Sequence, residues 1–164
     1  MNRIQSILLS LISLVLLISA TQKKDILEVN SEQKCPQVDK SEIAQLFDRW
    51  NASLKTGKAS EVVKNYAPNA ILLPTVSNQV RHNRTEIRQY FEQFLNLQPV
   101  GTMKEENIKI FCDIAIASGR YDINIRKNGK PQKVKARYTF VYQKIGNNWL
   151  IEEHHSSAMP DKKV

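Results

Sequence analysis

Histidine and cysteine are scarce in this sequence, three and two among 164 residues. A structural zinc site takes four such ligands at characteristic spacings, and His82, His154 and His155 with Cys35 and Cys112 show none of them. A metal is therefore not expected, and neither is a cofactor. There is no Ser-His-Asp order, no glycine-rich phosphate loop and no dinucleotide fingerprint, so no motif points to nucleophilic or nucleotide chemistry. The net charge is +8, which suits acidic partners such as lipid headgroups or small acids. The cations are scattered, however, and no basic stripe is interleaved with aromatics of the kind that stacks bases. Nucleic acid is not an expected partner. Internal repeats and low-complexity blocks are also missing.

What is present begins with a leader. Arg3 precedes an apolar run at 7–18 broken only by two serines, and Ala20 offers a small residue for cleavage. This is the anatomy of a secretory signal peptide over 1–20. The run is short for a membrane span, which takes about 20 apolar residues, so no membrane contact is expected after cleavage. An uncleaved N-terminal anchor is the alternative. Export, to the periplasm or outside the cell, would give the Cys35 and Cys112 pair an oxidising compartment in which to bridge. A buried Cys112 with a free, exposed Cys35 is the other possibility. Asn51-Ala-Ser and Asn83-Arg-Thr match the glycosylation sequon, which matters only in a host that glycosylates.

Residues 21–38 are polar and read as a flexible tail, with 161–164 as a second one. The order between them starts with helices. Asp39 and Glu42 read as a capping box. Ile43, Leu46, Phe47, Trp50 and Leu54 follow on one helical face, with Gly57 placed to end the helix. Ser60 can cap a short second helix, Ala70 to Leu73 reads as a strand, and Asn83 or Thr85 can cap a third helix carrying Ile87, Tyr90, Phe91, Phe94 and Leu95. The period then changes to two. Ile108, Ile110, Cys112, Ile114 and Ile116 alternate, then Tyr121, Ile123 and Ile125, then Val134, Ala136, Tyr138, Phe140 and Tyr142. Asn128-Gly129 is a strong hairpin signal, and Trp149 and Ile151 open a last strand. Helices followed by an antiparallel meander predict an α+β fold, a curved sheet with helices on one face.

The segments GRYDINI, ARYTFVYQKIGNNW and WLIEEHHSSAMP, with NYAPNAILLPT and YFEQFL, resemble the nuclear transport factor two-like superfamily. Within it they are most similar to the group related to the association domain of calcium/calmodulin-dependent protein kinase II, including bacterial SgcJ/EcaC-type and SnoaL-like proteins. The resemblance spans nearly all of the 39–160 region. It implies a cone-shaped curved antiparallel sheet wrapped around N-terminal helices, with a pocket at the open end. It also implies self-association as a homodimer or higher homo-oligomer. The family includes ketosteroid isomerase-like enzymes, cyclases, ligand binders and oligomerisation hubs, so the fold does not decide the function. Residue by residue, the resemblance places Arg120 in the pocket and suggests Arg137 as a second arginine. The position of a third arginine is Ser156.

Strand alternation separates the adjacent histidines onto opposite faces. If Trp149 and Ile151 face inward, Glu153 and His155 follow them towards the pocket mouth. On the same alternation Arg120 and Arg137 could equally be a solvated face, and Trp50, Tyr66, Tyr90 and Phe94 could be core or pocket lining. An isomerase would need a carboxylate base and a tyrosine or protonated aspartate for the oxyanion. Asp113 and Asp122 with Tyr66, Tyr90 or Tyr138 are the available groups, and no spacing selects a pair. The leading expectation is an exported domain that binds a small anionic or amphipathic ligand, such as a carboxylate, through Arg120, Arg137, His155, Glu153, Tyr66, Trp50 and Tyr90, and that self-associates. The alternatives are an isomerase, cyclase or hydrolase, and a purely structural oligomerisation module.

Overall fold

A computed structural model describes Cys35 and residues 37–160. The leader, almost all of the tail at 21–38 and the last four residues lie outside the described residues.

Helix α1 spans Lys40–Lys55. The Asp39 carboxylate accepts the Ser41 N–H at 2.8 Å and caps it, a contact of about 1 kcal/mol. Glu42 does not close the expected capping box. Its Oε1 accepts the indole N–H of Trp149 at 3.1 Å and ties the helix start to the last strand. The stripe Ile43, Leu46, Phe47, Trp50 and Leu54 is buried as its spacing requires. A short α2, Ala59–Val62, follows with Lys58 at its cap, so Ser60 lies inside the helix rather than capping it. Strand β1 is Tyr66–Leu73, four residues longer at its start than the sequence suggested. Helix α3, Arg84–Phe94, is capped by Asn83, whose side chain accepts the Glu86 N–H. Among the described residues no helix is long and apolar enough to cross a membrane.

The strands β2 (Val100–Phe111), β3 (Ile114–Lys127), β4 (Lys130–Ile145) and β5 (Asn148–Ala158) form the expected meander. The order of the curved, unclosed sheet is β1-β5-β4-β3-β2. The fold is α+β, with one departure from an all-antiparallel sheet. β1 pairs with β5 in parallel, because the meander starts at the far edge and returns to lie beside β1.

Three parities differ from the sequence reading. The alternation of isoleucines through Cys112 crosses a turn, since β2 ends at Phe111 and β3 begins at Ile114. Cys112 occupies that turn with a positive φ of 48°, and it is bridged to Cys35. Ala115 and Ala117 then face inward in step with Tyr121, Ile123 and Ile125, all buried, and Ile114 and Ile116 take the outer face. On β5 the pairing with β4 slips by one residue, since Val141 faces Glu153 whereas Tyr142 faces Ile151. Glu152 is the extra residue of a β-bulge, which reverses which residues face in. Ile151, His154 and Ser156 are buried, while Glu153 and His155 are exposed.

The disulfide joins Cα atoms 4.6 Å apart. Such a bridge fits an oxidising, extracellular environment. Both sequon asparagines are committed to structure. The Asn51 amide exchanges two hydrogen bonds with the Gly101 backbone, at 3.0 and 2.7 Å, and the Asn83 amide is held by Glu86.

Candidate functional site

The bulge at Glu152 sends the His154 imidazole into the interior. The ring stacks on Phe140, with centroids 4.1 Å apart, and meets the edge of Trp50. Its Nδ1 lies 2.9 Å from the Tyr66 hydroxyl, and that hydroxyl also receives the indole N–H of Trp50 at 3.1 Å. An indole nitrogen only donates. The tyrosine oxygen therefore accepts from Trp50, and its single proton is free for the imidazole. Nδ1 is the acceptor, and we assign the ring as the Nε2–H tautomer.

Burial, reinforced by the neighbouring His155, pushes the His154 pKa down to about 3. The ring is neutral at ordinary pH. Its Nε2 is buried and has no hydrogen-bond partner among the described residues, and His154 lines an apolar cavity. Trp50 and Phe91 wall this cavity from the helices, Tyr121 and Ile123 from the sheet, and Tyr90 and Val76 are also part of its lining. The free volume is about 30 Å³. Ligands larger than a water or two must displace side chains. At one side Tyr121 donates to the Ser156 hydroxyl at 2.6 Å, and Thr75 Oγ1 bonds the same oxygen. Burial raises the Tyr121 pKa to about 12, so that group also stays neutral.

The site expected from the sequence divides in two on this geometry. Trp50 and Tyr90 line the cavity, and Tyr66 is buried behind it, where it sets the His154 tautomer. Arg120, Arg137, Glu153 and His155 do not line it. Arg120 and Arg137 sit directly opposite one another on β3 and β4. Both are exposed, while Tyr121, Ala136 and Tyr138 beside them are buried. Arg120 Nε instead bonds Glu105 Oε2 at 2.7 Å, a surface pair that holds the Glu105 carboxyl below its usual range. These two arginines occupy the solvated face, and the pocket placement implied by the resemblance is corrected. His155 edges a shallow groove beside Pro74 and Gln79. Sequence reasoning missed His154, Ser156, Thr75 and Tyr121 as cavity groups, because strict alternation put His155 inside. The adjacent acids Glu152 and Glu153 were the available signal of a bulge.

Among the described residues no aspartate or glutamate lines the cavity. Asp113 lies in the β2–β3 turn, and Asp122 is shared between Lys104 and Lys133 at 3.9 and 3.7 Å. Arg81 lies near the cavity, its Cζ 5.9 Å from the Tyr90 ring centroid, and its Nη1 is buried without a partner.

Residues 39–160 match the family described as the calcium/calmodulin dependent protein kinase II association domain. Among solved structures, a Xanthomonas campestris protein assigned to that association domain is 47% identical. It covers 77% of this chain and 91% of its own, with a TM-score of 0.74. A Novosphingobium aromaticivorans protein assigned as an aromatic ring hydroxylase has a TM-score of 0.68 at 17% identity, covering 77% and 94%. A Streptomyces avermitilis protein of the nuclear transport factor two-like family, assigned as a dehydratase, has a TM-score of 0.65 at 13% identity, covering 76% and 99%. At those identities the last two share the fold alone. No curated protein matches the sequence. With the α+β fold, the cavity and a match over 39–160, the chain belongs to the calcium/calmodulin dependent protein kinase II association-domain family.

Proposed function

We propose that this is an exported binding domain whose cavity takes a small, mostly apolar molecule carrying one hydrogen-bond acceptor. The observation that carries this reading is the unpartnered Nε2–H of His154 on a mostly apolar wall whose hydroxyls, Tyr121, Ser156 and Thr75, already bond one another. A buried donor without a partner costs about 1–3 kcal/mol, and a ligand carbonyl or hydroxyl oxygen would recover that. Among the described residues no lysine or arginine lines the cavity, Arg81 standing over the Tyr90 ring rather than in the wall, so a neutral head is favoured over a carboxylate, which would be buried without a counter-charge in direct contact. The absence of a lining carboxylate favours binding over isomerase-type proton transfer. Export rests on the leader and the oxidising environment that the disulfide fits.

The domain also pairs with a second copy through the outer face of its sheet. One row across that face reads Lys109, Ile116, Val141, Glu153 and Ile71 on adjacent strands. A two-fold axis running along the strands between β3 and β4 would lay Ile116 on the second copy's Val141. It would also bring Lys109 to Glu153, so the row is self-complementary, as an isologous contact requires. The assignment of the Xanthomonas campestris relative as an association domain agrees with this use.

Thermal denaturation of the chain from Thr21 onward tests the pocket. Acetophenone should raise the midpoint, benzoate should not, and neither should act on His154→Phe. Stabilisation by benzoate alone would overturn the neutral-ligand reading. Sedimentation tests the pairing. Glu153→Lys should weaken the dimer and Lys109→Glu added to it should restore it. A monomeric wild type at micromolar concentration would refute the second part.

A further inference from the structure

We propose that a second groove, formed by α1, α2 and the starts of α3 and β5, is an oxyanion site built on Arg49 and Arg84. It is about 480 Å³ in volume, and its lining includes both arginines, Ser53, Asn65 and Asn148. The inference does not depend on the cavity ligand, because no residue is shared between the two linings.

The two guanidinium groups are held in place by uncharged partners. Arg49 Nε donates to Asn65 Oδ1 at 3.0 Å and its Nη2 to the Trp149 carbonyl at 2.6 Å. Arg84 Nε donates to the Tyr66 carbonyl at 2.6 Å. Asn65 and Tyr66 are consecutive, so the two cations are anchored on neighbouring residues of one segment. Asn65 is itself fixed, since its amide donates to the Val62 carbonyl at 2.9 Å and the Ser53 hydroxyl at 3.1 Å. This buried asparagine presents its one oxygen to Arg49.

Among the described residues neither arginine forms a salt bridge. The acid in the groove, Glu61, is already paired with Lys64 at 2.8 Å. Two positive charges are thus left facing one concave surface with no internal counter-ion. With their Nε atoms committed, Arg84 keeps both Nη groups for a ligand and Arg49 keeps Nη1. Planar N–H forks of this kind match the paired oxygens of carboxylates and phosphates. Because the side chains are already immobilised, less rotamer entropy is lost on binding. The ligand class is therefore a small oxyanion, or the oxyanion head of a larger molecule. This is the anion preference that the sequence assigned to Arg120 and Arg137, relocated to a face where the arginines lack acidic partners.

The test is a titration of the chain from Thr21 onward with sodium phosphate and, separately, sodium acetate. Ionic strength is held constant with sodium chloride, and the Nε–H resonances of Arg49 and Arg84 are followed by NMR. One or both anions should give saturable shifts at these two resonances. Phosphate alone would identify a phosphate head, and acetate as well would admit carboxylates. Arg84→Gln should weaken binding by about tenfold or more, since charge-assisted hydrogen bonds contribute about 1.5–3 kcal/mol. Arg120→Gln should leave it unchanged. Should Arg84→Gln fail to fold, Arg84→Lys keeps the charge, loses the fork and should still bind more weakly. Shifts that grow linearly with salt, appear equally with chloride, or persist in both Arg84 variants would overturn the site.

Discussion

The Tyr66 hydroxyl donates to Nδ1 of His154 while accepting from Trp50, and this one contact decides which way the imidazole faces chemically. Its removal is informative when set against a second tyrosine. Tyr66→Phe strands the Trp50 N–H and the His154 Nδ1 in the core and should cost about 2–6 kcal/mol, from two unsatisfied groups at about 1–3 each. Tyr142→Phe removes a buried hydroxyl that has no partner among the described residues, so its cost should be near zero or negative. Equal losses in urea denaturation of the two variants would contradict the assigned network.

The same imidazole gives stability a pH dependence. Its pKa in the folded protein is about 3, against an ordinary value of 6.5. Between those values the unfolded chain binds a proton that the folded one excludes. The contribution is whole above about pH 6.5 and is lost as pH falls towards 3, by up to about 1.4 kcal/mol per unit. Urea denaturation between pH 7.5 and 4.5 should show this slope in the wild type and a shallower one in His154→Gln. Identical slopes would place the pH sensitivity elsewhere.

The Cys35–Cys112 bridge spans 77 residues of sequence. On the chain-entropy account, closing a loop of that length stabilises by about 4–5 kcal/mol, and measured losses of native bridges run to about 2–5. A reducing agent should lower the denaturation midpoint of the wild type and leave Cys112→Ser unaffected. Insensitivity of the wild type would mean that the bridge does not constrain the fold.

Gly119 pairs with Glu106, two residues past the bulge at Lys104 where β2 and β3 slip register. A Cβ there would collide with the Glu105 carbonyl oxygen. The obstruction is backbone, so it cannot rotate away, and Gly119→Ala should cost more than the ~1 kcal/mol typical of point changes. Gly129→Ala, with nothing within 4 Å of the added carbon, meets no such contact. Its positive φ of 74° still strains the turn. The Gly119 variant should therefore be the less stable of the two by thermal denaturation.

The helices and the meander were legible because their apolar periods are regular, as in Ile43 to Leu54 and Val134 to Tyr142. The errors of strand parity share one cause. A strict period of two cannot register an extra residue, so the bulge at Glu152 moved His154 in and His155 out. The same blindness carried the alternation through Cys112, whose turn has no Asn-Gly pair to mark it. Ile114 and Ile116 look like core residues, but Ala115 and Ala117 share the parity of Tyr121. Arg49 and Arg84 gave no signal because what sets them apart, carbonyl anchors and a lack of acids nearby, exists only once distant segments meet.

The most direct test of the central claim is nitrogen-15 NMR of the His154 ring, recorded with and without acetophenone. Nε2 should be protonated and Nδ1 bare, with the Nε2–H resonance moving saturably as the ketone is added and Nδ1 staying bonded to Tyr66. A ring protonated at Nδ1, or an Nε2–H indifferent to the ketone, would contradict it.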